Sequence, residues 1–168
     1  MAAEFVHHFV AGTRPLTVLA LHGAGGDEND LVQVCRVIVP GAAVLSPRLA
    51  PHTSPAELAE WLKAGAHSPL YAFAYGEGAD LAAAILLGYP RLIAGGVLLR
   101  PGAAVRPGSM PDLQNAPVLI AGGPDGQALG RLLSEAGASV DFALAETGRD
   151  LGPQDFAMAK RWFAQFLV

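Results

Sequence analysis

The hydrophobic positions fall into short continuous runs separated by polar and turn-forming clusters. Leu16–Leu21, Leu70–Tyr75, Leu92–Leu99 and Pro117–Ala121 carry almost no polar interruption, the pattern of strands buried on both faces. Ala42–Leu45 is a shorter run of the same kind, and Ser139–Ala145 closes the series. Glu4–Val10 alternates instead, with Phe5, His7 and Phe9 on one side and Val6, His8 and Val10 on the other. That reads as an edge strand whose two histidines point to opposite faces and cannot share a metal. Between the strands lie helical stretches. One runs to about Val39 with Asp27 or Asn29 as its cap. Another runs from Ser54 to about Ala66, with Ser as cap, Pro at the first position and Glu57 three residues on. Three more span Ala79–Gly88, Ala128–Ala136 (stopped by Gly137) and Asp155–Leu167. Strands alternate with helices from residue 16 onward. This predicts an α/β chain with a mostly parallel sheet and helices on both faces, a three-layer sandwich in one domain over residues 1–168.

In such a sheet, ligands bind beyond the carboxyl ends of the strands. The groups expected there are His22, Arg48, Gly76, Glu77, Arg100, Asp125, Glu146 and Arg149. The stretch around Gly76 is the sharpest of these ends. A buried strand runs straight into Ala74-Tyr75-Gly76-Glu77-Gly78 and then into an apolar helix, with small residues two positions either side of the apex.

Composition narrows the function. The net charge is −4 with no basic run, which sets nucleic acid aside as a partner. With 52% hydrophobic and 15% charged residues the chain can bury a proper core. The 20 glycines and 13 prolines therefore punctuate many short elements rather than mark disorder. No apolar run reaches the length of a membrane span. Met1-Ala-Ala-Glu-Phe lacks a basic start, which argues against a signal peptide, so a cytoplasmic protein is expected. The single cysteine, Cys35, sits in an apolar stretch and reads as a small core residue. No metal or cofactor motif is present.

Four segments carry a resemblance. Leu21-His22-Gly23-Ala24-Gly25-Gly26-Asp27-Glu28, then Ala74-Tyr75-Gly76-Glu77-Gly78-Ala79, then Gly122-Gly123-Pro124-Asp125, then Gly148-Arg149-Asp150 resemble, in this order, the landmarks of the phospholipase/carboxylesterase family of α/β-hydrolases. The resemblance covers nearly the whole chain and implies a shortened α/β-hydrolase fold, the missing stretch falling between residues 50 and 68. Members of that family use Ser, Asp and His in that chain order. Carried over residue by residue, the Ser position is Gly76, the Asp position Asp125 and the His position Arg149. Gly76 has no nucleophilic atom, and the Arg149 guanidinium stays protonated and cannot act as a base. The resemblance also implies an oxyanion hole from the backbone N–H groups of Ala24 and Glu77.

An elbow apex with positive φ suits glycine, which has no Cβ to strain. A triad aspartate without its imidazole would gain from an arginine beside it, so an Asp125–Arg149 ion pair is expected. Arg48, Arg100 and Arg149 all follow strand ends and together could cradle an anion. The simpler reading pairs each with a local carboxylate among Glu77, Asp125, Glu146 and Asp150. His22 reads as a structural neighbour of the oxyanion loop, His52 as a solvated loop residue, and Glu77 as a carboxylate at a helix N-terminus. Three functions follow from these residues. The first is a non-catalytic member of the fold that keeps a pocket for a small ester or anion. The second is a weak ester or thioester hydrolase in which Glu77 or Asp125 activates water. The third is a structural partner, for instance a homodimer, with a remnant cleft.

Overall fold

The computed structural model describes residues 4–65, 67, 69–102, 106–145 and 150–167. Seven strands form one sheet: β1 (His7–Val10), β2 (Thr17–Leu21), β3 (Ala43–Pro47), β4 (Leu70–Tyr75), β5 (Gly95–Leu99), β6 (Pro117–Gly122) and β7 (Ser139–Leu144). Their order is β1-β3-β2-β4-β5-β6-β7. β1 is antiparallel to β3 and all other neighbours are parallel. The helices are α1 (Val32–Ile38), α2 (Pro55–Ala64), α3 (Glu77–Gly88), α4 (Pro124–Glu135) and α5 (Pro153–Ala164). Leu58, Leu62, Leu86, Leu129 and Leu133 place α2, α3 and α4 on one face, against Leu19, Leu21, Leu98 and Ile120. Cys35, Ile38, Trp162 and Phe163 place α1 and α5 on the other, against Val18, Val44, Phe73 and Leu119. This is the three-layer sandwich that the alternation predicts. β2, β3 and β5 are buried along their whole length, which explains why their sequences show no period of two.

Several boundaries move, each for a local reason. β1 starts at His7, three residues later than the alternation implies. β5 starts at Gly95 rather than Leu92. Arg91 takes φ +75, Pro90 bridges Ile93, and the chain makes this small detour before it reaches the sheet. α1 begins at Val32 with no side-chain cap. Asp27 accepts from the Asn29 N–H and Asp30 from the Asp27 N–H, so these side chains close a turn ahead of the helix. α4 begins at Pro124, four residues before Ala128. Gly-Pro-Asp-Gly is thus a helix start with Pro in the first turn rather than a free turn. α2 matches its signature in full. Ser54 accepts from the Glu57 N–H at 3.1 Å, and Glu57 reaches back to the Ser54 N–H at 3.4 Å. Cys35 is free and fully buried, and burial pushes its thiol pKa up.

Two ion pairs tie loops to strand ends at the carboxyl edge. Arg48 grips Glu28 with both ends of its guanidinium, each bond 2.7 Å. Arg100 grips Asp155 in the same way at 2.9 Å. The Arg48 hydrogen bond, followed by Glu28's own backbone N–H, holds the Glu28 carboxyl down from its ordinary 4.5 to about 2, against the opposing effect of burial.

Two predictions follow. Ser54→Ala removes one half of the capping box and lowers unfolding stability by about 1 kcal/mol, measured by chemical denaturation. For Glu28, the unfolded chain binds the proton more readily. Its stabilising contribution is therefore present in full above pH 4.5 and is lost as pH falls toward 2. Glu28→Gln flattens the fall of the melting temperature across that window; an unchanged slope would remove Glu28 from the acid response.

Candidate active-site cleft

The site is built where β2 and β4 end side by side. β4 runs into Gly76, which has φ +59 and ψ −123. α3 starts at the next residue, Glu77, two residues before the sequence-based start. The Gly76 N–H donates to the Leu99 carbonyl at 2.9 Å, and its own carbonyl accepts from Ala79 and Asp80. A side chain at Gly78 would overlap the Leu21 carbonyl oxygen, so glycine there lets the first turn of α3 sit on the end of β2. A Cβ at Gly76 would meet only the Gly23 Cα, at 3.7 Å. Among the described residues, no side chain fills the space above the apex.

The loop facing the apex is set by His22, which is buried. The Leu49 N–H points at its Nε2 at 2.8 Å, and its Nδ1 lies 2.7 Å from the Gly23 carbonyl. A backbone N–H only donates, so Nε2 accepts and the proton resides on Nδ1, donating to Gly23. Both ring nitrogens are thereby engaged. His22 joins the Gly23–Gly26 loop to the loop after β3, and its lone pair is unavailable to a substrate. The reading of His22 as a structural neighbour is supported by this geometry.

Two clefts meet over this loop. One, of about 440 Å³, runs between α3 and the loop after β3. Leu49, Ala50, Pro51, Pro55, Leu81 and Ala84 supply an apolar wall, and Thr53, Glu77 and Asp80 add polar groups. The second, of about 560 Å³, opens directly over the apex, between Gly23, Ala24, Tyr75, Gly76, Glu77, Asp80, Arg100 and Gly102. Ala24 and Glu77 line both. Among the described residues, neither backbone N–H has an acceptor. Glu77 is exposed at the first turn of α3, where a carboxylate is favoured. Asp80, one turn on, accepts from the Gly102 N–H at 2.9 Å and so ties the far rim to the helix.

The remaining sequence-predicted residues are distributed differently. Arg48 and Arg100 both have carboxylate partners, as the simpler reading expects, but the partners are Glu28 and Asp155 rather than Glu77, Asp125, Glu146 or Asp150. Only Arg100 reaches the cleft; its side chain is 13% exposed and its backbone takes φ +55. Arg48 lines neither cleft and its side chain is half exposed. The two do not converge into one cradle. Asp125 sits exposed in the first turn of α4 and lines neither cleft. Arg149 and Glu146, and with them the expected Asp125–Arg149 pair, lie outside the described residues. His52 is exposed in its loop. Among the described residues no three His, Cys, Asp or Glu side chains come together as a metal site requires, and no helix is long and apolar enough to cross a membrane.

Sequence reasoning missed Asp80, Asp155 and the apolar wall. Asp80 could have been found from its spacing, since three residues after Glu77 returns to the same helix face. Asp155 gave only the signal of a helix start; Gly152 donates to it at 2.9 Å, and nothing in the sequence marks it as the partner of an arginine 55 residues earlier.

Comparison with known proteins agrees with this geometry. No family model matches the chain. A protein of Bacillus subtilis (strain 168) named "Putative hydrolase MhqD" is 26% identical, covering 96% of this chain and 99% of its own. That alignment spans 198 positions against 168 residues here, so the relative carries stretches that this chain lacks. The crystal structure of the Bacillus cereus carboxylesterase superposes with a TM-score of 0.86 at 25% identity, over 97% of this chain and 95% of the other. A carboxylesterase from Mesorhizobium loti gives 0.79 at 26%, over 91% and 90%. The phospholipase/carboxylesterase from Dyadobacter fermentans shares the fold at 0.77, with 16% identity over 96% and 98%. The chain therefore has the α/β-hydrolase fold and is similar, along almost its whole length, to the carboxylesterases and phospholipase/carboxylesterases that share it.

Proposed function

We propose that this chain is a carboxylesterase-like protein that has lost serine-type hydrolysis and binds a small carbonyl compound over the elbow apex. The observation that carries this reading is Gly76. It holds the apex backbone at φ +59 and ψ −123, in a cleft also lined by Ala24 and Glu77, whose backbone N–H groups have no acceptor among the described residues. At that apex there is no side chain to attack a carbonyl. By resemblance the residue at the base position is Arg149, which cannot take the proton of a nucleophile. Backbone N–H groups without an acceptor, one of them at a helix start, can polarise a carbonyl oxygen, and the wall of Leu49, Pro51 and Leu81 suits a short apolar tail. The described lining suits an uncharged ester or ketone better than an anion. Arg48 and Arg100 are each held by a carboxylate within the fold, and Glu77 and Asp80 face the ligand space.

A second reading keeps weak hydrolysis through water activated by Glu77, which stands beside the apex in both clefts. Asp125, in contrast, lines neither. Loss of the nucleophile or the base of such a triad costs on the order of a millionfold in turnover, so the two readings are far apart in rate.

Two experiments test the proposal. In amide-proton NMR spectra, titration with ethyl butyrate shifts the Ala24 and Glu77 resonances together and leaves those of α4 in place; unshifted resonances would contradict binding at this apex. In hydrolysis of p-nitrophenyl butyrate, the native chain stays at the level of a heat-denatured blank, while Gly76→Ser/Arg149→His turns over. The serine also places an L side chain at positive φ and lowers stability by about 1–3 kcal/mol. Turnover by the native chain that Glu77→Gln abolishes would replace the first reading with the second.

A further inference from the structure

We infer that β7 is a dimerisation edge, occupied by β7 of a second copy of this chain in antiparallel pairing about a two-fold axis through Phe142. This rests on the sheet edge and not on the cleft, so it stands or falls apart from the proposed function. β7 is the last strand of the sheet and pairs only with β6. Ser139 donates to the Ala116 carbonyl and Ala145 to the Gly122 carbonyl. With the two-residue period of a strand, the odd-numbered residues of β7 therefore direct their backbone groups to β6. The even-numbered residues Val140, Phe142 and Leu144 direct theirs outward, where the described residues supply no partner.

The same three residues carry the apolar side chains on the α4 side of the sheet. Phe142 is 38% exposed and Leu144 68%. Val140 and Phe142 line an open groove of about 410 Å³ along α4. Sheet edges are commonly protected by lysine, proline, a bulge or a covering element. β7 has none of the first three, and its one charge, Asp141, projects from the opposite face.

The strand is complementary to itself. Two symmetric registers overlap nearly all of it. One sets Asp141 opposite Asp141 of the mate, and like charges directly opposed are destabilising. The other sets Phe142 opposite Phe142, Val140 opposite Leu144 and Asp141 opposite Ala143. In that register the outward-facing backbone of Phe142 exchanges both N–H···O bonds with its mate, as an antiparallel hydrogen-bonded pair requires. The three apolar residues close over one another on one face. A two-fold interface of this kind is isologous: it consumes both β7 edges and ends at a dimer. It joins two seven-stranded sheets into one.

The test is hydrogen exchange combined with light scattering on the full chain over a concentration series. The expected species has twice the 17.3 kDa chain mass. The amides of Val140, Phe142 and Leu144 are protected at high concentration and lose protection on dilution, while Asp141 and Ala143 stay protected throughout. Phe142→Pro removes an outward N–H without touching the β6 ladder, and it shifts the population to monomer with an unchanged circular dichroism spectrum. Phe142→Lys, which opposes two charges at the axis, does the same. A monomer at every concentration, open polymers that grow with concentration as β1-to-β7 contacts would give, or a dimer in which the three even-numbered amides exchange freely would overturn the inference.

Discussion

The backbone conformation at Gly76 is the constraint on which the site depends. β4 must reverse within one residue into α3, and it does so at φ +59 with the apex N–H anchored on the end of β5. The reversal brings the first turn of α3 down onto the Leu21 carbonyl, a contact open only to glycine at residue 78. Once that turn is fixed, Glu77 at the start of α3 and Ala24 in the loop after β2 line the same cleft. A side chain at residue 76 would be held in a strained conformation. Glycine adopts the same geometry without that strain. The fold therefore keeps this sharp strand-to-helix turn at a residue that carries no side chain.

The second constraint is charge. His22 is fully hydrogen-bonded in its neutral form and acts as a brace between two loops. Arg100 and Asp155 form a buried, bidentate pair that connects the end of β5 to the start of α5. Asp155 also receives the Gly152 N–H, so its oxygens are well satisfied. Removing one partner of such a pair leaves a buried charge and costs about 3–5 kcal/mol. Arg48 and Glu28 perform a similar bracing role nearer the surface. Among the described residues, the cationic groups Arg48 and Arg100 at the strand ends are thus structural ties, while the acidic groups Glu77 and Asp80 line the cleft beside its apolar wall.

Much of the fold was legible because parallel strands buried on both faces leave continuous apolar runs, and Leu16–Leu21 and Leu70–Tyr75 are such runs. The Ser54-Pro-Ala-Glu57 cap was legible because all of its bonds lie within four residues. The partners of Arg48 and Arg100 were not, since they sit 20 and 55 residues away and depend on how loops return over the sheet. The start of α4 was hidden because Gly-Pro-Asp-Gly suits both a turn and a helix N-terminus. The sharp turn was read from small residues flanking the apex, and its glycine was found at the positive φ that this pattern implies. The apolar wall left no local signal, because its residues come from one loop and two helices that only the folded chain brings together.

The central claim is that no described or inferred group at this apex attacks a carbonyl. Intact-mass spectrometry after incubation with a fluorophosphonate tests it most directly, since the reagent records a competent nucleophile in one stable adduct without requiring turnover. The account predicts an unmodified native chain under conditions in which a carboxylesterase of the same fold is fully labelled. A stoichiometric adduct on the native chain, abolished by the ester ligand, would contradict it and would mean that the nucleophile has moved to another residue lining the cleft.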